Sequence, residues 1–182
     1  MSGSSTTMIL KRLFQRQPPA ERNCYEAIVA AARHPVLYAG CGVEDSLDGR
    51  FDMISLHSFL VLDRLKGSDA AFRQALVDEL FRDMDRSLRE MGVGDLSVGK
   101  KVRKMAEVFY GRVAAYDRAL AGSEADLAAA IARNVFPGES ETADSPGVRR
   151  LAAYVLDQRA HLAGQPPAAI VAGKISFREP SP

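Results

Sequence analysis

Apolar residues recur at helical spacing along six stretches of the chain, and the residues between those stretches set their ends. After Pro18-Pro19, the positions Tyr25, Ile28, Val29 and Ala32 share one helix face and predict a first helix over 20–33. His34-Pro35 ends it, because a residue before proline is driven out of the α region. Residues 36–50, with Gly40, Gly42 and Gly49, read as a connecting loop. A second helix is predicted from about Phe51 to Lys66; its uncharged run from Met53 to Leu62 is apolar on more than one face and belongs at the centre of a core. Gly67 closes it, and Ser68 or Asp69 caps a third helix whose Phe72, Leu76, Leu80, Met84 and Leu88 form an i, i+4 ridge up to Met91-Gly92. Ser97 caps a fourth, striped by Val98, Val102, Met105, Phe109, Tyr116 and Leu120. A fifth runs from Ser123-Glu124 to Phe136 and stops at Pro137-Gly138; after the acidic loop 139–144, a sixth spans Pro146 to about Leu162.

The pattern predicts an all-α, single-domain bundle of about six helices over residues 20–165. An N-terminal arm (1–19) precedes it and an extended C-terminal tail (166–182) follows. In the tail, Ile170-Val171 and Ile175-Ser176-Phe177 suit a short strand or an arm draped on the bundle. In the arm, Ile9-Leu10-Lys11-Arg12-Leu13-Phe14-Gln15-Arg16 mixes apolar and cationic residues, as a short interfacial helix or a packing arm would. Met8 is a plausible start, with residues 1–7 a short extension.

Composition narrows the function classes. With 182 residues, 47% of them hydrophobic, one core suffices without disulfide or metal, and no cofactor is required for stability. Lys and Arg (24) nearly balance Asp and Glu (23), which argues against bulk-charge binding of DNA; any basic contact must be local. Cys24 and Cys41 read as small hydrophobes in a reducing compartment. The longest uncharged run, Ala160 to Gly173, is 14 residues and too short to span a bilayer; no signal or transit segment is evident. The expected location is cytoplasmic, including peripheral contact with the cytoplasmic face of the inner membrane.

Most candidate chemistries fail on spacing. Asp45, Asp48, Gly49 and Asp52 lack the oxygens of a calcium loop, having Leu47 and Gly49 where ligands belong. His34, His57 and His161 form no i, i+4 metal pair, and His57, inside the apolar run, reads as a hydrogen-bonded core histidine. Gly92-Val93-Gly94 lies between helices and is no phosphate loop. Two features stay unexplained. Lys100, Lys101, Arg103 and Lys104 load the first two turns after Ser97 against the helix dipole, which hints at a partner. Gly92, Gly94 and Gly99 crowd one corner, as close backbone approach would require.

The segments Gly49-Arg50-Phe51-Asp52-Met53, Leu56-His57, Asp83-Met84-Asp85-Arg86-Ser87-Leu88-Arg89-Glu90-Met91-Gly92-Val93-Gly94-Asp95, Lys104-Met105 and Phe109-Tyr110-Gly111-Arg112 resemble the ubiquinol-cytochrome c chaperone family. The resemblance covers roughly Tyr25 to Phe136, with Arg33-His34-Pro35 and Arg133-Asn134-Val135-Phe136 at its ends. It implies an all-helical, non-enzymatic assembly factor for ubiquinol-cytochrome c reductase, respiratory complex III, that binds newly made cytochrome b, and the lack of a transit segment points to a bacterial member. Mitochondrial relatives would also use a small helper protein and the ribosomal exit. The implied client or partner surface is Arg50, Asp85, Arg86, Arg89, Glu90 and Asp95, with Lys100, Lys101, Lys104, Tyr110 and Arg112. Two competing readings are a helical adaptor binding RNA or the ribosome through the fourth helix, and a small hydrolase around His57, Asp52 and Asp85.

Overall fold

The computed structural model describes residues 18–136 and 141–180, and among these it is all-α with no strand. The helices are α1 (Ala20–Ala32), α2 (Pro35–Ala39), α3 (Leu47–Arg64), α4 (Ala70–Glu90), α5 (Asp95–Leu120), α6 (Glu124–Val135), α7 (Pro146–Ala163) and α8 (Pro167–Val171). The first through sixth expected helices are α1, α3, α4, α5, α6 and α7. The interfacial segment proposed for residues 9–16 lies outside the described residues.

The uncharged run of α3 is the hub. Every residue from Phe51 to Val61 is buried, because α3 packs against α1, α5, α6 and α7 and so presents no face to water. α4 closes one side against α1 and α5, with Phe72, Leu76, Leu80, Met84 and Leu88 buried as the ridge demanded. At the start of α6, Ser123 Oγ accepts from the Asp126 N–H and the Asp126 carboxylate accepts from the Ser123 N–H, a complete capping box.

Three expectations are corrected. The loop after His34 contains α2, because His34 Nδ1 accepts from the Val36 N–H and Pro35 occupies the first helical turn. α3 starts four residues before Phe51: Ser46 Oγ accepts from the Gly49 N–H, so Asp48-Gly49 is first-turn helix, not a turn between elements. A Cβ on Gly49 would collide with the carbonyl oxygen of Glu44. The tail is partly helical, since Pro166-Pro167 nucleate α8 and bury Ile170 in the core.

Beyond Gly173 the tail is an arm strapped by two glutamines, Gln158 of α7 and Gln165 in the link that follows it. Gln165 donates to the Ser176 carbonyl (2.8 Å) and accepts from its N–H (3.0 Å). Gln158 does the same for Arg178, at 2.9 and 3.0 Å. Each side-chain amide thus acts as a one-residue β partner, and Phe177 lands edge-on against His57.

Candidate partner-binding corner

The link between α4 and α5 is built by its sequence. Gly92 takes φ +84°, which lets the Gly92 N–H reach the Arg89 carbonyl (2.9 Å) and the Val93 N–H reach that of Leu88 (3.0 Å). These bonds close the end of α4. Gly94 then N-caps α5 directly, so the helix begins at Asp95, three residues earlier than the Ser97 cap implied. Asp95 therefore occupies the first turn, where negative charge is favoured, and Lys100 to Lys104 sit beyond it, out of the dipole's reach. The expected dipole cost is not present. Nor do all three glycines serve close approach: a Cβ on Gly94 or Gly99 would meet nothing within 4 Å.

Arg89 joins the corner, pairing with Asp85 one turn back (2.6 Å) and with Asp95 across the link. Beside it lies an apolar cleft of about 410 Å³, lined by Leu47 and Phe51 of α3, Leu88 of α4, and Met105 and Val108 of α5. Lys101 and Lys104 stand at its rim. Asp52 and Arg112 line it more deeply, 2.5 Å apart but without hydrogen-bond alignment. Arg112 Nη2 donates to the Asn134 carbonyl (3.2 Å), and its guanidinium lies 5.5 Å from the centre of the Phe51 ring. Burial pushes the Asp52 carboxyl up to about 7, against the downward pull of Arg112. One turn along α5, the Tyr116 hydroxyl is buried with no hydrogen-bond partner.

The structure does not gather the eleven sequence-derived residues on one surface. Arg89, Asp95, Lys100, Lys101 and Lys104 share the corner, with Lys104 3.2 Å from Glu107. Arg112 is largely buried at the cleft, not presented outward. Asp85 is held by Arg89, while Arg86, paired with Asp83, and Glu90 line a separate polar cleft between α1 and α4. Tyr110 is exposed on another flank, its ring tilted against that of Phe81, and Arg50 pairs with Asp45 at 2.7 Å near the start of α3.

Sequence reasoning missed three apolar residues. Only four large hydrophobics are strongly exposed among the described residues, and Leu47, Met91 and Leu96 are the three at or beside the corner and cleft. Leu96 is wholly exposed. Its signal was its place between Asp95 and Ser97, off the buried stripe of the fourth helix.

The hydrolase constellation does not assemble. His57 Nδ1 sits 2.7 Å from the Met53 carbonyl and Nε2 2.8 Å from the Tyr154 hydroxyl, so both ring nitrogens are used. A neutral ring donating to Met53 and accepting from Tyr154 satisfies both, and burial lowers its pKa to about 4. Asp52 faces Arg112 and Asp85 faces Arg89; the cleft that holds Asp52 includes neither His57 nor Asp85. Among the described residues, no group of three or more His, Cys, Asp or Glu side chains is placed to hold a metal ion.

Comparison with known proteins adds the family dimension. A family model described as ubiquinol-cytochrome C chaperone matches residues 39–177. The crystal structure of the Cbp3 homolog from Brucella abortus is 41% identical and superposes with a TM-score of 0.78, covering 96% of this chain and 97% of its own. The ubiquinol-cytochrome-c reductase complex assembly factor 1 of Xenopus laevis is 25% identical over 137 residues, 74% of this chain and 68% of the frog protein. The mouse protein of the same name is 25% identical over 141 residues, 76% of this chain and 47% of its own length.

Proposed function

Since the chain belongs to the ubiquinol-cytochrome c chaperone family, whose business is complex III assembly, we infer that it acts non-enzymatically and holds newly made cytochrome b through the α4–α5 corner and its cleft. The observation that carries this reading is an open apolar cleft with exposed Leu47 in its lining, next to a corner where Met91 is also left exposed. A folded monomer gains nothing from leaving such residues in water, whereas a factor that shields an apolar segment needs them. Leu47, Phe51, Met105 and Val108 supply the adaptable apolar lining, and Met105 is unbranched and able to refit to different side chains.

The buried Asp52–Arg112 pair makes the end of the cleft polar, which limits how deep an apolar segment can sit. On this reading the protein works at the cytoplasmic face of the membrane, and a small helper protein or the ribosome would meet one of the remaining surfaces, such as the α1–α4 cleft.

Site-specific photo-crosslinking tests the assignment. A photoreactive residue at Lys101, on the cleft rim, should capture cytochrome b in cells assembling complex III. The same group at Arg149, on α7, should not. Equal capture from both positions, or none from either, contradicts it.

A further inference from the structure

We propose that the solvent face of α5 at the corner docks on an anionic lipid surface, with Leu96 as the inserting side chain and Lys100, Lys101, Arg103 and Lys104 as the headgroup contacts. The inference rests on the assembly-factor reading, which brings the protein to a membrane as its client is inserted.

Leu96 is 101% exposed, in the first turn of a helix whose other large apolar residues are buried or half-buried up to Tyr110. Burial inside this chain does not account for it. Asp95 beside it is paired with Arg89, and beyond that the exposed charge of the next two turns is mostly positive: Lys100, Lys101 and Arg103 are exposed and enter no ion pair among the described residues, and Lys104 has only the exposed Glu107. On α4 the arrangement differs, with Arg86 and Arg89 both held by carboxylates of their own helix. The free cations of the corner therefore belong to α5.

Charge complementarity selects the occupant. Cytoplasmic loops of membrane proteins are enriched in Lys and Arg and would be repelled by this face. The cytoplasmic leaflet is negative and attracts clustered Lys and Arg within a Debye length. One protruding leucine followed by cations over the next two turns is the arrangement of a shallow interfacial anchor, apolar tip below the headgroups and cationic groups among them. Docked this way, α5 would hold the neighbouring cleft at the membrane surface, where an emerging apolar segment is met.

The chain contains no tryptophan, so Leu96→Trp in the full-length protein provides a lone reporter. With vesicles of phosphatidylcholine containing about one-third phosphatidylglycerol, its emission should shift to the blue and be quenched by brominated lipid. Pure phosphatidylcholine should leave it unchanged. Combined Lys100→Glu, Lys101→Glu and Arg103→Glu should weaken vesicle binding by about 100-fold, with the helical circular dichroism retained. Unchanged emission while the protein still floats with vesicles would move the lipid contact to another segment, residues 9–16 foremost, and overturn the proposal. Binding of RNA but not vesicles by the same cations would overturn it equally. No client is present in this assay, so its failure leaves the cytochrome b reading standing. Loss of the Lys101 crosslink with lipid binding intact would instead sink that reading alone.

Discussion

His57 and Asp52 are buried ionisable groups on one helix, and burial moves them in opposite directions. His57, lowered to about 4, is held neutral; its contribution to stability is complete above about pH 6.5 and is lost as the pH falls toward 4. Asp52, raised to about 7, contributes most below its ordinary value of 3.8 and loses that contribution as the pH rises through 7. Between pH 4.5 and 6.5 the two offset one another, so the urea midpoint of the wild type should be nearly flat. Asp52→Asn removes one of the two, and stability should then fall by about 3 kcal/mol on acidification across the histidine's range. A midpoint as flat as the wild type's would contradict the neutral, buried His57. That role was legible in the sequence, because a histidine inside an uncharged ten-residue run can only be buried and must be satisfied. The Asp52–Arg112 pair was not, since 60 positions separate the partners and only the packing of α3 on α5 brings them together.

At the scale of elements, the corner separates two kinds of glycine. Gly92 is needed for its backbone angle, whereas Gly99 lies in helical backbone with open space where a side chain would be. Gly92→Ala should therefore destabilise by about 1–2 kcal/mol. Gly99→Ala should stabilise by up to about 1 kcal/mol. Thermal unfolding of the two variants distinguishes them; equal effects would mean the corner packs differently. Helix positions were readable because each of the six has an apolar stripe and a recognisable stop. Starts were less so. Ser97 and Ser46 both precede apolar residues, yet only Ser46 serves as a cap, because the hydrogen bonds that close α4 place Gly94 at the start of α5. α2 and α8 escaped notice because five residues hold no periodicity; in each, a proline in the first turn was the available sign.

For the molecule as a whole, the family was readable from the segments between Gly49 and Arg112, and the matched model spans residues 39–177, reaching through α7 and α8 into the tail. The contact surface was less readable. Motif residues are selected for structure and contact alike, and Arg112 and Asp85 show how a polar motif residue can be held within the chain. Exposed apolar residues such as Leu96 are visible only once their neighbours are placed. Arg89 and Lys104 lie in solvent-exposed ion pairs and Lys101 enters none among the described residues, so removing each should cost about 0–1 kcal/mol. The combined Arg89→Ala, Lys101→Ala, Lys104→Ala variant, with all three positions at the corner or the cleft rim, should thus stay folded, which makes it a clean probe of that surface. The most direct measurement is a crosslinking pull-down from membranes of the native host, wild type beside this variant, with cytochrome b as the readout. The account predicts cytochrome b with the wild type and its loss with the folded variant; its absence from both, or equal recovery with both, would contradict client binding at the corner.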